Sequence, residues 1–209
     1  MSSKPSLRLG PDETVAEGVL ERRHAVSSLI GDPGDTLFVS GLAGSKDDLL
    51  SVVGADSAQA FTLSGAMGAA AAMGLGLALA EPERKVMVVT GDGESLMNVV
   101  TLATVGVLNP PNISIICFDN EHYGETGWLE SHTGRGVDIA KMAKGRQIPN
   151  VRTVMKEGEL ADAAHMLRKG NGTSFVLLKV APTKPPTIYR LRDASWHKGK
   201  FREALLGRN

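Results

Sequence analysis

The chain has 209 residues, 42% hydrophobic and 22% charged, and its 23 basic and 23 acidic residues give a net charge of zero at pH 7. This length suits one α/β domain with its own core. The balanced charge gives no reason to expect a nucleic-acid partner. The longest apolar stretch, residues 65–80, has 16 residues, short of the roughly 20 needed to span a bilayer, so no membrane partner is expected.

Strand-like and helix-like segments alternate along the chain. The predicted strands are residues 37–40, 60–63, 86–90, 113–118, 151–155 and 175–180. The predicted helices are residues 14–29, 46–53, 66–80, 95–107, 137–144 and 159–168. This alternation predicts an α/β fold: an open, mostly parallel sheet with helices on both faces. The continuously apolar runs at 86–90 and 113–118 are expected to be central strands.

The composition changes after residue 181. Residues 182–209 are rich in proline and basic side chains, so we expect a basic C-terminal arm ending in a short helix, after a domain over residues 1–181. Cys117 is the single cysteine, so no disulfide within the chain is expected. The N-terminal residues lack the apolar stretch of a secretory signal. A reducing cytoplasm is the expected location.

A Gly-Asp-Gly turn, residues 91–93, follows the predicted strand 86–90. In open parallel sheets, ligands bind beyond the carboxyl ends of the strands, where N–H groups of the next helix can hold phosphate. A carboxylate beside a phosphate is repulsive unless a cation lies between them, so Asp92 indicates Mg²⁺ bridging to a phosphate. Alone, the tripeptide also fits an ordinary tight turn. A dinucleotide motif fails because Leu96 stands where it requires glycine, and no Walker lysine follows.

A second set of oxygen ligands follows the next predicted strand. Asp119 and Asn120 end that strand, and Asn120 comes 28 positions after Asp92. One strand-helix-strand unit would therefore bring Asp92 and Asn120 together. This arrangement resembles the diphosphate motif of thiamine diphosphate (TPP) enzymes: Gly-Asp-Gly, a spacer of similar length, and a pair usually written Asn-Asn. Asp119 stands where the first asparagine is usual.

The resemblance implies that TPP and Mg²⁺ are the cofactors, and it assigns roles to individual residues. Asp92, the Asn120 side chain and the backbone carbonyl of His122 would bind Mg²⁺. Ser95 would donate a hydrogen bond to the diphosphate. The other residues expected along the cofactor are Gly91, Gly93, Glu94 and Tyr123.

Upstream of this motif, Met67 lies 25 residues before Asp92. TPP enzymes place there an apolar side chain that wedges between the two rings of the cofactor and keeps it bent. The carbonyl of Gly65 would accept a hydrogen bond from the aminopyrimidine. A methionine in an alanine-rich helix is otherwise a core residue, so this assignment depends on the other two motif elements.

The longer match, residues 35–180, is similar to the TPP-binding (PP) domain or β subunit of sulfopyruvate and phosphonopyruvate decarboxylases. This implies a 2-oxo acid substrate and a hetero-oligomer. In these enzymes the catalytic glutamate belongs to a separate pyrimidine-binding (Pyr) domain of similar size. This chain has no room for such a domain, so we expect an α subunit to supply it. That branch tends to read Gln-Pro-Thr where this chain has TGWLESHTG, residues 126–134, which leaves the substrate open.

The loop after the predicted strand 113–118 carries several candidates for substrate chemistry. His122, Glu125 and His132 are candidate catalytic residues beside Tyr123, and a histidine there can move protons near neutral pH. Alternatively, His122 acts only through its backbone and His132 is a solvated loop residue.

Two other functions remain open. The chain could be a regulatory paralogue that binds TPP without turnover. It could also be the β subunit of another TPP-dependent lyase or 2-oxo acid oxidoreductase. Such oxidoreductase subunits usually need clustered cysteines for iron–sulfur centres, which one cysteine cannot provide.

Overall fold

The computed structural model describes residues 18–189 and 193–207. Its strands, in chain order, are β1 (Leu37–Ser40), β2 (Ala60–Thr62), β3 (Val86–Gly91), β4 (Ile113–Asp119), β5 (His122–Tyr123), β6 (Leu129–Glu130), β7 (Asn150–Val154) and β8 (Ser174–Lys179). Six of them form one parallel sheet in the order β2-β1-β3-β4-β8-β7. The predicted parallel α/β sheet is therefore confirmed. β5 and β6 form a separate antiparallel hairpin that the sequence did not predict.

Helices cover both faces of the sheet. They are α1 (Arg22–Ile30), α2 (Gly44–Val53), α3 (Ala70–Ala80), α4 (Asp92–Met97), α5 (Thr101–Leu108), α6 (Ile139–Gly145), α7 (Leu160–Lys169) and α8 (Ala194–Leu206). Side chains of α1, α2 and α7 form one apolar cluster with one face of the sheet. Side chains of α3, α5, α6 and α8 form a second cluster on the opposite face.

β3 and β4 lie at the centre of the sheet, as their continuous apolar runs predict. All seven residues of β4 are buried. In the parallel register Gly91 of β3 lies opposite Phe118 of β4. The residues that follow, Asp92 and Asp119, therefore reach the same carboxyl edge of the sheet.

Two predicted helices begin several residues later in the structure. Residues 14–17 of the first lie outside the described residues, and α1 begins only at Arg22, where the Glu21 side chain accepts the backbone N–H of His24 as an N-cap. The helix predicted over 66–80 begins at Ala70. Gly68 has φ +86°, which a right-handed helix cannot include.

The predicted helix 95–107 is wrong as a single element. It divides into α4 and α5, and α4 begins directly at Asp92, where β3 ends. Asn98 leaves the helical conformation with φ −137° and ψ 45°. Its side-chain amide donates to the carbonyl of Gly68, 3.1 Å away. A tertiary hydrogen bond thus competes with helix continuation at this residue.

The predicted C-terminal helix is present as α8, with 13 residues. Asp193 caps it by accepting the backbone N–H groups of Ser195 and Trp196. Phe201 is buried and meets Phe61 edge-to-face at a ring-centroid distance of 5.5 Å. The division at residue 181 stays a prediction. No helix in the described ranges is long and apolar enough to cross a membrane.

Candidate cofactor site

A buried acidic pair lies at the carboxyl edge of the two central strands. Asp92 is the first residue of α4 and is only 3% exposed, and Asp119 ends β4 with 1% exposure. Asp92 thus occupies the first turn of a helix, where the sequence predicts a separate turn between strand and helix. Carboxylates buried in a medium of low dielectric carry a large desolvation cost unless something compensates their charge.

Two hydroxyl groups contact these carboxylates. Ser131 Oγ lies 2.5 Å from Asp92 Oδ2. Thr133 Oγ1 lies 3.0 Å from the same oxygen of Asp92 and 2.7 Å from Asp119 Oδ1. The two hydroxyls have one proton each for these three contacts, so the cluster has more acceptors than protons. A cation at Asp92 would remove this excess of acceptors.

The charge of Asp92 is not balanced by a described basic side chain. Burial raises the pKa of Asp92 above its ordinary 3.8, the hydrogen bond from Ser131 partly offsets this, and the nearby charge of Asp119 raises it further. None of the ion pairs among the described residues involves Asp92. A buried oxygen donor with uncompensated negative charge fits a hard divalent cation such as Mg²⁺.

Asn120 and His122, the other predicted magnesium ligands, form a tight turn just beyond β4. Asn120 Oδ1 accepts the backbone N–H of His122 at 3.1 Å, and His122 Nδ1 lies 2.8 Å from the Asn120 carbonyl. The described residues hold no group of three or more His, Cys, Asp or Glu side chains suited to a metal. The predicted ligand set needs no such group, since it combines one carboxylate, one amide and one carbonyl. It stays a prediction.

Asp119 has a cationic partner that Asp92 lacks. Lys179, at the end of β8, places its Nζ 3.0 Å from Asp119 Oδ2. The same amine also pairs with Glu121. This pairing accounts physically for a carboxylate at position 119, where related motifs carry the neutral asparagine.

Two predicted diphosphate contacts point inward. Glu94 Oε2 accepts the Thr90 hydroxyl at 3.0 Å, and Glu94 Oε1 accepts the Gly68 N–H at 3.3 Å. Ser95 Oγ lies 3.3 Å from Cys117 Sγ and 3.5 Å from Thr90 Oγ1. In this structure the side chains of Glu94 and Ser95 contact groups in the interior of the fold. Whether they touch a diphosphate stays a prediction.

Tyr123 and His132 lie close together at the edge of the site. The Tyr123 ring packs against Gly93 in the first turn of α4, and its hydroxyl lies 3.5 Å from His132 Nδ1. The His122 ring lies 6.4 Å from that of Trp128. Glu125 is exposed on a 3-10 helix and lies apart from these contacts.

Met67 and Gly65 lie on the loop between β2 and α3. Met67 is half-buried and Gly65 is exposed. The prediction that Met67 belongs to a helix is wrong, and it is not among the residues of either core cluster. The interpretation of Met67 as a core methionine is therefore weakened, and its role against the cofactor stays a prediction.

Sequence reasoning missed Ser131, Thr133 and Lys179. They lie 39, 41 and 87 positions after Asp92, on elements other than the motif strands. A Ser-x-Thr pattern in a loop is common and points to no particular contact. Only the hairpin of β5 and β6, which reverses the chain, returns the two hydroxyls to the carboxyl edge of β3.

Comparison with known proteins identifies the family of this chain. Residues 48–178 match the family model described as thiamine pyrophosphate enzyme, C-terminal TPP binding domain. The chain is 42% identical over 98 residues to the sulfopyruvate decarboxylase subunit beta of Methanocaldococcus jannaschii, covering 47% of this chain and 52% of that protein. It is 35% identical over 162 residues to the phosphonopyruvate decarboxylase of Streptomyces viridochromogenes, covering 77% of this chain and 40% of that protein. The matched segments thus span only about half of these relatives or less.

The fold is also found in a solved structure. Benzoylformate decarboxylase from Polynucleobacter necessarius matches with a TM-score of 0.66 and 21% identity, covering 80% of this chain and 34% of that one. At this identity the likeness concerns the fold alone. The matched family model covers more than half of the chain and includes Asp92, Asn120 and Met67. The chain therefore belongs to the thiamine pyrophosphate enzymes and contains their C-terminal TPP-binding domain.

Proposed function

We propose that this chain is the TPP- and Mg²⁺-binding β subunit of a 2-oxo acid decarboxylase, with an active site completed by an α subunit that carries a Pyr domain. The observation that carries this proposal is the buried Asp92 carboxylate, without a described cationic partner, at the start of α4. Asn120 lies just beyond the neighbouring strand β4. Relatives named sulfopyruvate decarboxylase subunit beta support the assignment to this class.

Different residues of this chain would contact the metal, the diphosphate and the substrate. Asp92, Asn120 and the carbonyl of His122 would hold Mg²⁺, and backbone N–H groups in the first turn of α4 would face the diphosphate. When bound, TPP supplies a carbanion that attacks a 2-oxo acid and accepts the electrons released as CO₂ leaves. Tyr123, His132 and His122 border the site and are candidates for moving protons to or from the substrate.

We infer a partner subunit because each buried carboxylate of the described residues already has another partner or role. Activation of TPP requires a carboxylate at the aminopyrimidine ring. The buried carboxylates of the described residues are Asp48, Asp92, Glu94 and Asp119. Asp48 is bound by Arg22 through Nε and Nη2, and Glu94 holds Thr90 and Gly68. Asp92 is the proposed magnesium ligand, and Asp119 pairs with Lys179. None of these four carboxylates is left for the aminopyrimidine, so we assign that carboxylate to the α subunit.

Asp48 lies on α2 and is directed into the interior of the fold. It is fully buried against Arg22. Because the guanidinium occupies both carboxylate oxygens, Asp48 is unsuited to the role of the missing glutamate.

The experiment follows exchange of the TPP C2 proton for deuterium by NMR, with this chain alone and with a Pyr-domain α subunit. We expect slow exchange with the chain alone and acceleration when the α subunit is added. CO₂ release from a panel of 2-oxo acids, including sulfopyruvate and phosphonopyruvate, then identifies the substrate. Fast exchange by the single chain would contradict the two-subunit proposal. Accelerated exchange without CO₂ release from any 2-oxo acid would favour the regulatory paralogue.

A further inference from the structure

Glu94 lies two residues after Asp92, in the first turn of α4, yet its carboxylate does not face the carboxyl edge of the sheet. It is 5% exposed, and it accepts the hydroxyl of Thr90 and backbone N–H groups of Gly68, Gly91 and Leu42. A carboxylate with these donors is fixed in a single orientation.

The space that holds this carboxylate is made by a glycine. A Cβ at Gly41, on the loop after β1, would lie 1.4 Å from Glu94 Oε2. A side chain at position 41 and the observed Glu94 conformation therefore exclude each other. Glu94 thus joins the loop after β1, the end of β3 and the loop that carries Met67.

Gly68, next to Met67, is held on both sides. Its N–H donates to Glu94 Oε1 at 3.3 Å, and its carbonyl accepts Asn98 Nδ2 at 3.1 Å. Its φ of +86° is a left-handed conformation that glycine adopts without steric strain. The N–H bound by Glu94 belongs to the peptide group shared with Met67, so this hydrogen bond sets the direction in which the chain leaves Met67.

We propose that Glu94 is a positioning residue: its buried carboxylate anchors the Met67–Gly68 peptide and so holds the Met67 side chain against the cofactor. This inference rests on the proposed function, in which Met67 keeps the two TPP rings bent. It gives Glu94 a role through Met67 and not through the diphosphate. It also links the wedge to the magnesium site, because Asp92 and Glu94 share one helical turn.

The first test needs no cofactor. The eight methionine methyl groups are labelled with ¹³C, and the Met67 signal is assigned with a Met67→Leu variant. In the full chain, Glu94→Ala should move the Met67 signal toward that of an unrestrained methionine and lengthen its transverse relaxation time. Glu94→Gln should move the Met67 signal less than Glu94→Ala does, because its one side-chain oxygen can still accept the Gly68 N–H. Glu83→Ala, at an exposed glutamate before β3, is the matched control.

An unchanged Met67 signal in folded Glu94→Ala would overturn the inference. If Glu94→Ala does not fold, Asn98→Ala decides the question, because Asn98 is the second anchor of Gly68. It should move the Met67 signal in the same direction, and an unchanged signal there would overturn the inference as well.

The second test uses Mg²⁺-TPP and the α subunit. Glu94→Ala should leave TPP affinity nearly unchanged while C2 proton exchange falls by about 10²-fold, since misplacing the wedge disturbs ring geometry more than binding. An equal loss of affinity and exchange would indicate a contact with the bound diphosphate and would overturn the positioning role. Failure of the wild-type chain to bind Mg²⁺-TPP would overturn the proposed function instead. It would not affect the Met67 methyl measurement, which needs no cofactor.

Discussion

Ser131 Oγ lies 2.5 Å from Asp92 Oδ2, although the two residues are 39 positions apart. Ser131 is 1% exposed and follows β6, so the β5–β6 hairpin carries it to the start of α4. Thr133, two residues on, contacts the same oxygen. The two hydroxyls thereby fix the orientation of the carboxylate predicted to bind magnesium. Groups that orient a metal ligand in this way normally affect metal affinity.

We therefore predict that Ser131→Ala and Thr133→Val each weaken Mg²⁺-dependent TPP binding by about tenfold. The cause is a loss of orientation at Asp92, since neither residue is itself a proposed ligand. Calorimetric titration with TPP at fixed Mg²⁺ measures the effect. Thr133→Ser keeps the hydroxyl and should retain near wild-type affinity, whereas weakening as large as in Thr133→Val would point to packing instead.

Asp92→Asn should stabilise the metal-free chain by about 1 kcal/mol at neutral pH, because it removes an uncompensated buried charge. Burial raises the pKa of the folded Asp92 above 3.8, so its ionised form opposes folding. The penalty is present above the folded-state pKa and disappears as the pH falls through it. The stabilisation by Asp92→Asn should therefore shrink on acidification toward pH 3.8.

Urea unfolding in EDTA across this pH range measures the difference. Asp119→Asn is the matched control, because Asp119 already has Lys179 as a partner. It should not stabilise the chain. A destabilised Asp92→Asn at neutral pH would contradict the account of an uncompensated carboxylate.

Lys179→Met should destabilise the chain by about 2 kcal/mol, since it leaves buried Asp119 without its cation. The estimate is below that for a fully buried pair because the Lys179 side chain is 25% exposed. Adding Asp119→Asn to Lys179→Met should recover part of the loss. Thermal unfolding of the two single variants and the double variant measures the coupling. If the stability changes of the two single variants simply add in the double variant, the Lys179–Asp119 ion pair contributes no coupling energy.

The sequence predicts the sheet well, because β3 and β4 are apolar throughout and helices alternate with the strands. It predicts the position of Asp92 and Asn120 at one edge, because parallel strands expose their carboxyl ends together. The helix between 95 and 107 could not be predicted as two elements. Its break depends on the hydrogen bond from Asn98 to Gly68, 30 positions away.

The interior of the site was less predictable because it too depends on contacts between residues far apart in sequence. Glu94 follows Gly-Asp-Gly directly, so its place in the motif indicates a diphosphate contact. The Glu94 carboxylate turns inward because Gly41 has no side chain to block it and because the N–H of Gly68 donates to it. Both glycines lie far from Glu94 in sequence. The hydroxyls of Ser131 and Thr133 carry no local pattern that marks them as partners of Asp92.

Met67→Ala should lower C2 proton exchange in the assembled enzyme by about 10²-fold and lower TPP affinity much less, because the wedge orients the rings. Met67→Leu keeps an apolar side chain of similar volume and should lose far less. Exchange is followed by NMR and affinity by calorimetry. Reduced thermal stability with normal exchange per folded molecule would return Met67 to a purely structural role.

We expect this chain itself to bind the diphosphate of TPP through a metal held by Asp92 and Asn120. Calorimetric titration of the purified chain with TPP, in Mg²⁺ and in EDTA, tests it most directly. We predict binding in Mg²⁺ and none in EDTA, with binding in Mg²⁺ abolished by Asp92→Ala and by Asn120→Ala, while both variants stay folded. Equal TPP affinity in EDTA, or unchanged affinity in either variant, would contradict the claim.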